Sequence, residues 1–123
     1  MSFIQRFTVV VGTDGAGDAT AYTPFFVGKI SQIRYVKDTY DNGVDFAITL
    51  EQTGENVWTE SDVNASATRA PRQATHTVAG AASLYAAGGQ PVLNSIAVAQ
   101  DRVKIVIAQG GATKSGTFHV LVE

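Results

Sequence analysis

The sequence predicts an all-β fold: an antiparallel β-sandwich or jelly-roll-like barrel with one long Ala/Gly-rich loop or arm. Three observations carry this. Apolar and polar residues alternate with period two over much of the chain, as at Val44, Phe46, Ile48 and Leu50. Turn-forming stretches such as GTDGAGD, DNG, TGEN and GGATKSG cut the alternating runs into strand lengths. Seven to nine such runs can be counted, with no internal repeat.

Phe3 to Val11 reads as the first strand, with Phe3, Gln5, Phe7, Val9 and Val11 on one face and Ile4, Arg6, Thr8 and Val10 on the other. ATAYTPFFV reads as extended, at an edge or kinked, because Pro24 has no N–H to give a ladder. In GKISQIRYVKD the apolar phase slips between Ile30 and Ile33, which predicts a bulge near Ser31 and Gln32. Asn42-Gly43 suits a type I′ hairpin. The strand after it points Val44, Phe46, Ile48 and Leu50 inward, and VWTE returns after TGEN with Trp58 in the core. NSIAVAQ, DRVKIVIAQ and TFHVLVE complete the set. The last two read as a terminal hairpin, both faces partly buried, because Val106 and Leu121 extend a second apolar row.

At 123 residues the chain reads as a single domain, 1–123, with the loop or arm at about 61–94. A chain of this length buries enough surface to fold without staples. It has no cysteine, so disulfide and thiolate chemistry are excluded. A formal net charge of −2 gives no general pull toward nucleic acid or acidic membranes. No apolar run approaches a membrane span, and the N-terminal residues lack the pattern of a signal peptide. Seven of the eleven acidic residues fall between Asp38 and Asp62, and Val63 to Gln100 holds none. This reads as a solvated sheet face beside a loop, or else as two complementary patches on a self-associating protein.

No reaction chemistry emerges. GGATKSG lacks the glycine before its lysine and the following helix that a phosphate loop needs. GTDGAGD offers two carboxylates, too few for calcium, and reads as a turn. His76 and His119 are the only histidines and have no thiolate to join them in a metal site. No serine sits on a nucleophile turn. The expectation is a non-enzymatic protein with no cofactor and no metal.

The stretch from Val63 to Pro91 is the anomaly. It holds nine alanines, two arginines and no acidic residue. Arg69 and Arg72 flank Pro71 and place two forked donors on a short extended piece, suited to carboxylates of a neighbouring subunit. His76, Leu84 and Tyr85 complete the candidate interaction residues, with Leu84 and Tyr85 as the apolar anchors. A short helix over Val78 to Gly89, ending at Gly88, is one reading of its interior. Ordering a segment of this length costs about 1–2 kcal/mol per residue, which alanines on a lone core hardly repay. The expectation is an arm that gains its order against another molecule. The alternative is a loop folded over one end of its own sandwich.

NGVDFAITLEQTGENVWTE, NASATRAPRQATHT and DRVKIVIAQGGATKSGTFHVLVE resemble small virion structural proteins of tailed bacteriophages, of the capsid decoration (cement) type. The resemblance implies a β-rich homo-oligomer, expected as a trimer, that binds the major capsid protein and braces the head. It implies synthesis in the host cytoplasm, residence in the virion, and no direct contact with membrane or nucleic acid. No functional residue carries over by motif. A head–tail connector or tail component has the same features, and a carbohydrate-binding β-sandwich is the more distant alternative.

Overall fold

The alternating runs become strands whose inward rows meet in one core. The computed structural model describes residues 3–123. Ten strands follow in order: β1 (Gln5–Gly12), β2 (Ala19–Tyr22), β3 (Phe26–Lys37), β4 (Asp45–Leu50), β5 (Asn56–Glu60), β6 (Ala67–Arg69), β7 (Arg72–Ala74), β8 (Leu93–Asp101), β9 (Val103–Ala108) and β10 (Ser115–Val122). There is no helix among the described residues. The strands form two antiparallel sheets. One runs β1-β10-β3-β8-β7, with β6 also on β3; the other runs β2-β9-β4-β5.

The pairing reveals how the chain is wound. β1 pairs with β10, β2 with β9, β3 with β8 and β4 with β5. Leaving β6 and β7 aside, the chain is a ribbon doubled back at the β4–β5 turn, its halves hydrogen-bonded along their length. The β10–β3 and β9–β4 pairings then roll this ribbon into two facing sheets. That is a jelly roll, with β6, β7 and the arm inserted between β5 and β8.

Val44, Phe46, Ile48 and Leu50 are buried as the alternation predicts. They meet Ile105 and Ile107 of β9 and, from the facing sheet, Ile33, Tyr35, Phe118 and Val120. Phe46 is the aromatic hub. Tyr35, Phe118 and Trp58 approach its ring edge-on at 4.7, 5.0 and 5.3 Å between centroids, the geometry that aromatic quadrupoles favour. The predicted bulge falls at Ser31: Leu121 faces Gln32, and the next residue, Val122, faces Ile30. Skipping one residue keeps both Ile30 and Ile33 on the core side.

Three expectations are corrected. Asn42-Gly43 makes a turn but no hairpin, since β3 and β4 belong to different sheets. Gly43 has φ +94° and Asn42 is not left-handed, so the two positive φ values of a type I′ turn are not met. β9 and β10 likewise lie in opposite sheets. Val106 and Leu121 are half-buried on the outer faces of those two sheets, which is why their row resembled one shared second face. No helix spans Val78 to Gly89; Gly80 and Gly88 take positive φ in turns instead.

Candidate functional site

The segment from 61 to 94 is not a structureless loop. Val63 is buried and its N–H donates to the Val44 carbonyl. β6 lies along the outer half of β3, and β7 lies along β8. Arg69 and Arg72 therefore end and begin strands rather than standing outside them. Their donors are largely used within the chain. Arg69 meets Glu60 in a two-pronged pair, Nε to Oε1 and Nη2 to Oε2, both at 2.9 Å. Its guanidinium also lies 5.4 Å from the centre of the Trp58 ring, while the Trp58 indole N–H donates to Glu60 at 3.0 Å. Hydrogen bonds from Arg69 first, then from Trp58, hold the Glu60 carboxyl below its ordinary range. Arg72 donates through Nη1 to the carbonyls of Ser31 and Pro71 at 3.1 and 2.7 Å. The two arginines fasten the root of the arm to the sandwich.

Beyond that root the β7–β8 ribbon opens into a fork. Thr75 and Val92 close the ribbon: the Thr75 N–H and hydroxyl both donate to the Val92 carbonyl at 2.9 Å. The piece around Ser83 fills the fork. Ser83 N–H donates to Thr75, and Val92 N–H donates to Ser83. His76 bridges to Ala82 on one side, and Leu84 bridges to Pro91 on the other. Each prong ends in a tight turn. Thr77 accepts from Gly80 through its carbonyl and from Ala81 through its hydroxyl, and Ala86 accepts from Gly89. Backbone bonds of this kind satisfy the main chain of a segment that buries almost no side chain.

From His76 to Pro91 every residue is exposed except Ser83. The core cluster takes none of them. Tyr85 is 76% exposed, and Val78, Leu84 and Leu93 stand out beside it. Of the residues singled out in the sequence, His76, Leu84 and Tyr85 share this forked tip, while Arg69 and Arg72 lie at its root, each with its own partners. Val78 and Leu93 were missed. Val78 stands amid alanines and glycines, a signal available in the sequence; Leu93 falls within the 61–94 stretch, beside the strand read from Asn94.

Among the described residues, no group of three or more His, Cys, Asp or Glu side chains is placed to hold a metal ion. His119 lies on β10, where its Nδ1 is 3.1 Å from the Thr8 hydroxyl, and His76 lies on the arm. Asp14 accepts the N–H groups of Asp18 and Ala16 at 3.0 and 2.9 Å, which holds its carboxyl below its ordinary range and closes the β1–β2 turn. Tyr22 and Phe25 are exposed at their edges, but the Arg102 guanidinium lies 3.9 and 4.8 Å from their ring centres. Arg102 is held in turn by a two-pronged pair with Glu51 at 2.9 and 2.8 Å. Comparison of the chain with protein-family models, curated proteins and solved structures finds no match to any of them.

Proposed function

We propose that this protein is a non-enzymatic structural component of a tailed-bacteriophage virion, a capsid decoration protein that associates with itself and with the major capsid protein to brace the head lattice. One observation carries the reading. The chain orders a forked arm mostly by main-chain hydrogen bonds, with the Thr75 and Thr77 hydroxyls assisting, and gives the solvent its apolar side chains, Val78, Leu84 and Tyr85. Exposed apolar groups on an ordered projection mark a protein-docking surface. An aromatic such as Tyr85 is the kind of anchor that dominates such interfaces. The jelly roll agrees with the reading by analogy, because viral capsid domains use it, as do lectin domains. Against a carbohydrate-binding role stands Arg102, which occupies ring faces of Tyr22 and Phe25 that a sugar would need.

The test is co-sedimentation with undecorated phage heads, comparing the native chain with Leu84→Ser/Tyr85→Ser. Native protein is expected in the head pellet. The variant is expected to bind at least about tenfold more weakly, the scale of a hot-spot loss, with an unchanged unfolding midpoint. Native protein that fails to pellet with heads, or a variant that binds equally well, overturns the proposal. Binding to isolated tails or necks instead assigns the chain to the connector.

A further inference from the structure

The fold sorts charge that the sequence leaves scattered. Strands of the six-stranded sheet carry six of the nine basic residues: Arg6, Lys29, Arg34, Lys37, Arg69 and Arg72. They carry one of the eleven acidic residues, Asp101, and it is buried. On the outer face of this sheet Arg6, Arg34 and His119 line a shallow groove of about 550 Å³ with Val36 and Leu121. The register explains the cluster. Thr8, His119 and Arg34 form one row across β1, β10 and β3, and Arg6 stands in the next row beside Leu121. Arg6 and Arg34 therefore flank β10 from either side, their backbones on the order of 10 Å apart. Arg34 is held by a neutral amide, donating from Nε and Nη2 to Gln32 Oε1 at 3.2 and 3.1 Å. Neither arginine meets a carboxylate among the described residues.

The complement lies on the same chain. At one end of the sandwich the turns β1–β2, β3–β4 and β5–β6 bring Asp14, Asp18, Asp38, Asp41 and Asp62 together with Asp45 at the start of β4, beside the β9–β10 turn that carries Lys114. Hydrogen bonds lock three of these turns to one another, as from Thr113 N–H to the Asp14 carbonyl and from Asp41 N–H to the Gly110 carbonyl. Asp62 N–H donates to Asp45 at 3.0 Å and ties in the fourth. None of these six carboxylates forms a salt bridge among the described residues.

We infer that the basic groove receives the acidic end of a second copy of this chain. Arginine forks suit carboxylates, and the aliphatic floor of Val36 and Leu121 offers apolar area to the visiting turn. Nucleic acid fits less well: the groove offers few cations to neutralise phosphates, and its one ring is the His119 imidazole, which is engaged with the Thr8 hydroxyl. A face that binds an end is a heterologous contact, so it propagates head to tail into a ring or an open chain. It uses no residue of the arm.

Two charge-reversed variants test this by sedimentation: Arg6→Glu/Arg34→Glu, and Asp18→Lys/Asp38→Lys/Asp41→Lys/Asp62→Lys, which leaves Asp14 and Asp45 to hold their turns. Each one alone repels its own kind. Mixed, the reversed groove meets the reversed end, and the two native surfaces also meet. We expect the average mass of each variant alone to fall about twofold or more, and the mixture to regain the native value. The native mass should fall likewise between about 0.05 and 0.5 M salt, where screening shortens the reach of such charges. Native protein that stays monomeric, variants of unchanged mass, or a mixture that fails to recover overturns the inference. Short duplex DNA bound by the native chain and lost in Arg6→Glu/Arg34→Glu also overturns it, in favour of phosphate. Association that survives both charge variants but is lost in Leu84→Ser/Tyr85→Ser removes this contact and leaves the arm reading intact.

Discussion

Tyr35 and Tyr40 stack at 6.1 Å in the core, yet their hydroxyls have opposite fates. The Tyr40 hydroxyl donates to the Val11 carbonyl at 2.6 Å. That of Tyr35 is buried with no partner. Burial, aided by the charge of Asp38, pushes Tyr35 up to about 12, and burial raises Tyr40 as well. A buried donor without a partner is a cost, whereas removing one half of a made bond is a loss. Tyr40→Phe is therefore expected to destabilise by about 1 kcal/mol in urea unfolding, and Tyr35→Phe to leave the midpoint unchanged or raise it. At the arm's root, Arg69→Ala removes the Glu60 pair and the Trp58 contact together, at about 1 kcal/mol for partly exposed groups. The Glu60 carboxyl is depressed in the fold. Its contribution is thus present above the unfolded value, near 4.5, and is lost as pH falls through the folded one. Unfolding midpoints of native and Arg69→Ala protein should converge across that acid range; a gap that stays constant would show that the cost lies in packing alone.

Individual strands were readable because period two depends only on which side chains face the core. Val44 to Leu50 declared its inward row, and the slip between Ile30 and Ile33 declared the bulge that the Ser31 register confirms. Partnership was not readable. β1 pairs with β10 and β2 with β9 across most of the chain, and nothing local encodes a ladder between such distant segments. Hence Asn42-Gly43 suggested a hairpin where the chain changes sheets. β6 and β7 escaped notice because three residues are too few to show a period. Some constraints appear only when strands meet. Gly116 in β10 reads as a mere breaker, but a Cβ there would lie 2.5 Å from Tyr40 Cε2 and 2.9 Å from Tyr35 Cε1. Both rings are walled in, so Gly116→Ala is expected to overpack the core and cost about 1–3 kcal/mol. A urea midpoint equal to that of the native chain would show that the tyrosine rings can move aside.

At the scale of the whole molecule the division is between a jelly roll that holds itself together and an arm that does not help it. His76, Leu84 and Tyr85 were readable as non-core residues because their surroundings are alanine and glycine. The basic groove was not, because Arg6, Arg34 and His119 are far apart in sequence and only the β1-β10-β3 order assembles them. The arm's turns are closed by their own main-chain bonds, and no side chain from His76 to Pro91 enters the core. Each residue of it still costs about 1–2 kcal/mol of backbone entropy to order, and loop length by itself changes closure entropy only slowly. Replacing His76–Pro91 with a two-residue Asn-Gly turn between Thr75 and Val92 should therefore leave the melting temperature within a few degrees of native, since surface changes away from the core usually fall within about 0.5 kcal/mol. The same variant should fail to pellet with phage heads. Calorimetry checks the first outcome and co-sedimentation the second. A collapse in melting temperature would mean that the arm is a structural part of the sandwich, because only buried contacts that the arm supplies to β7 and β8 would explain the loss.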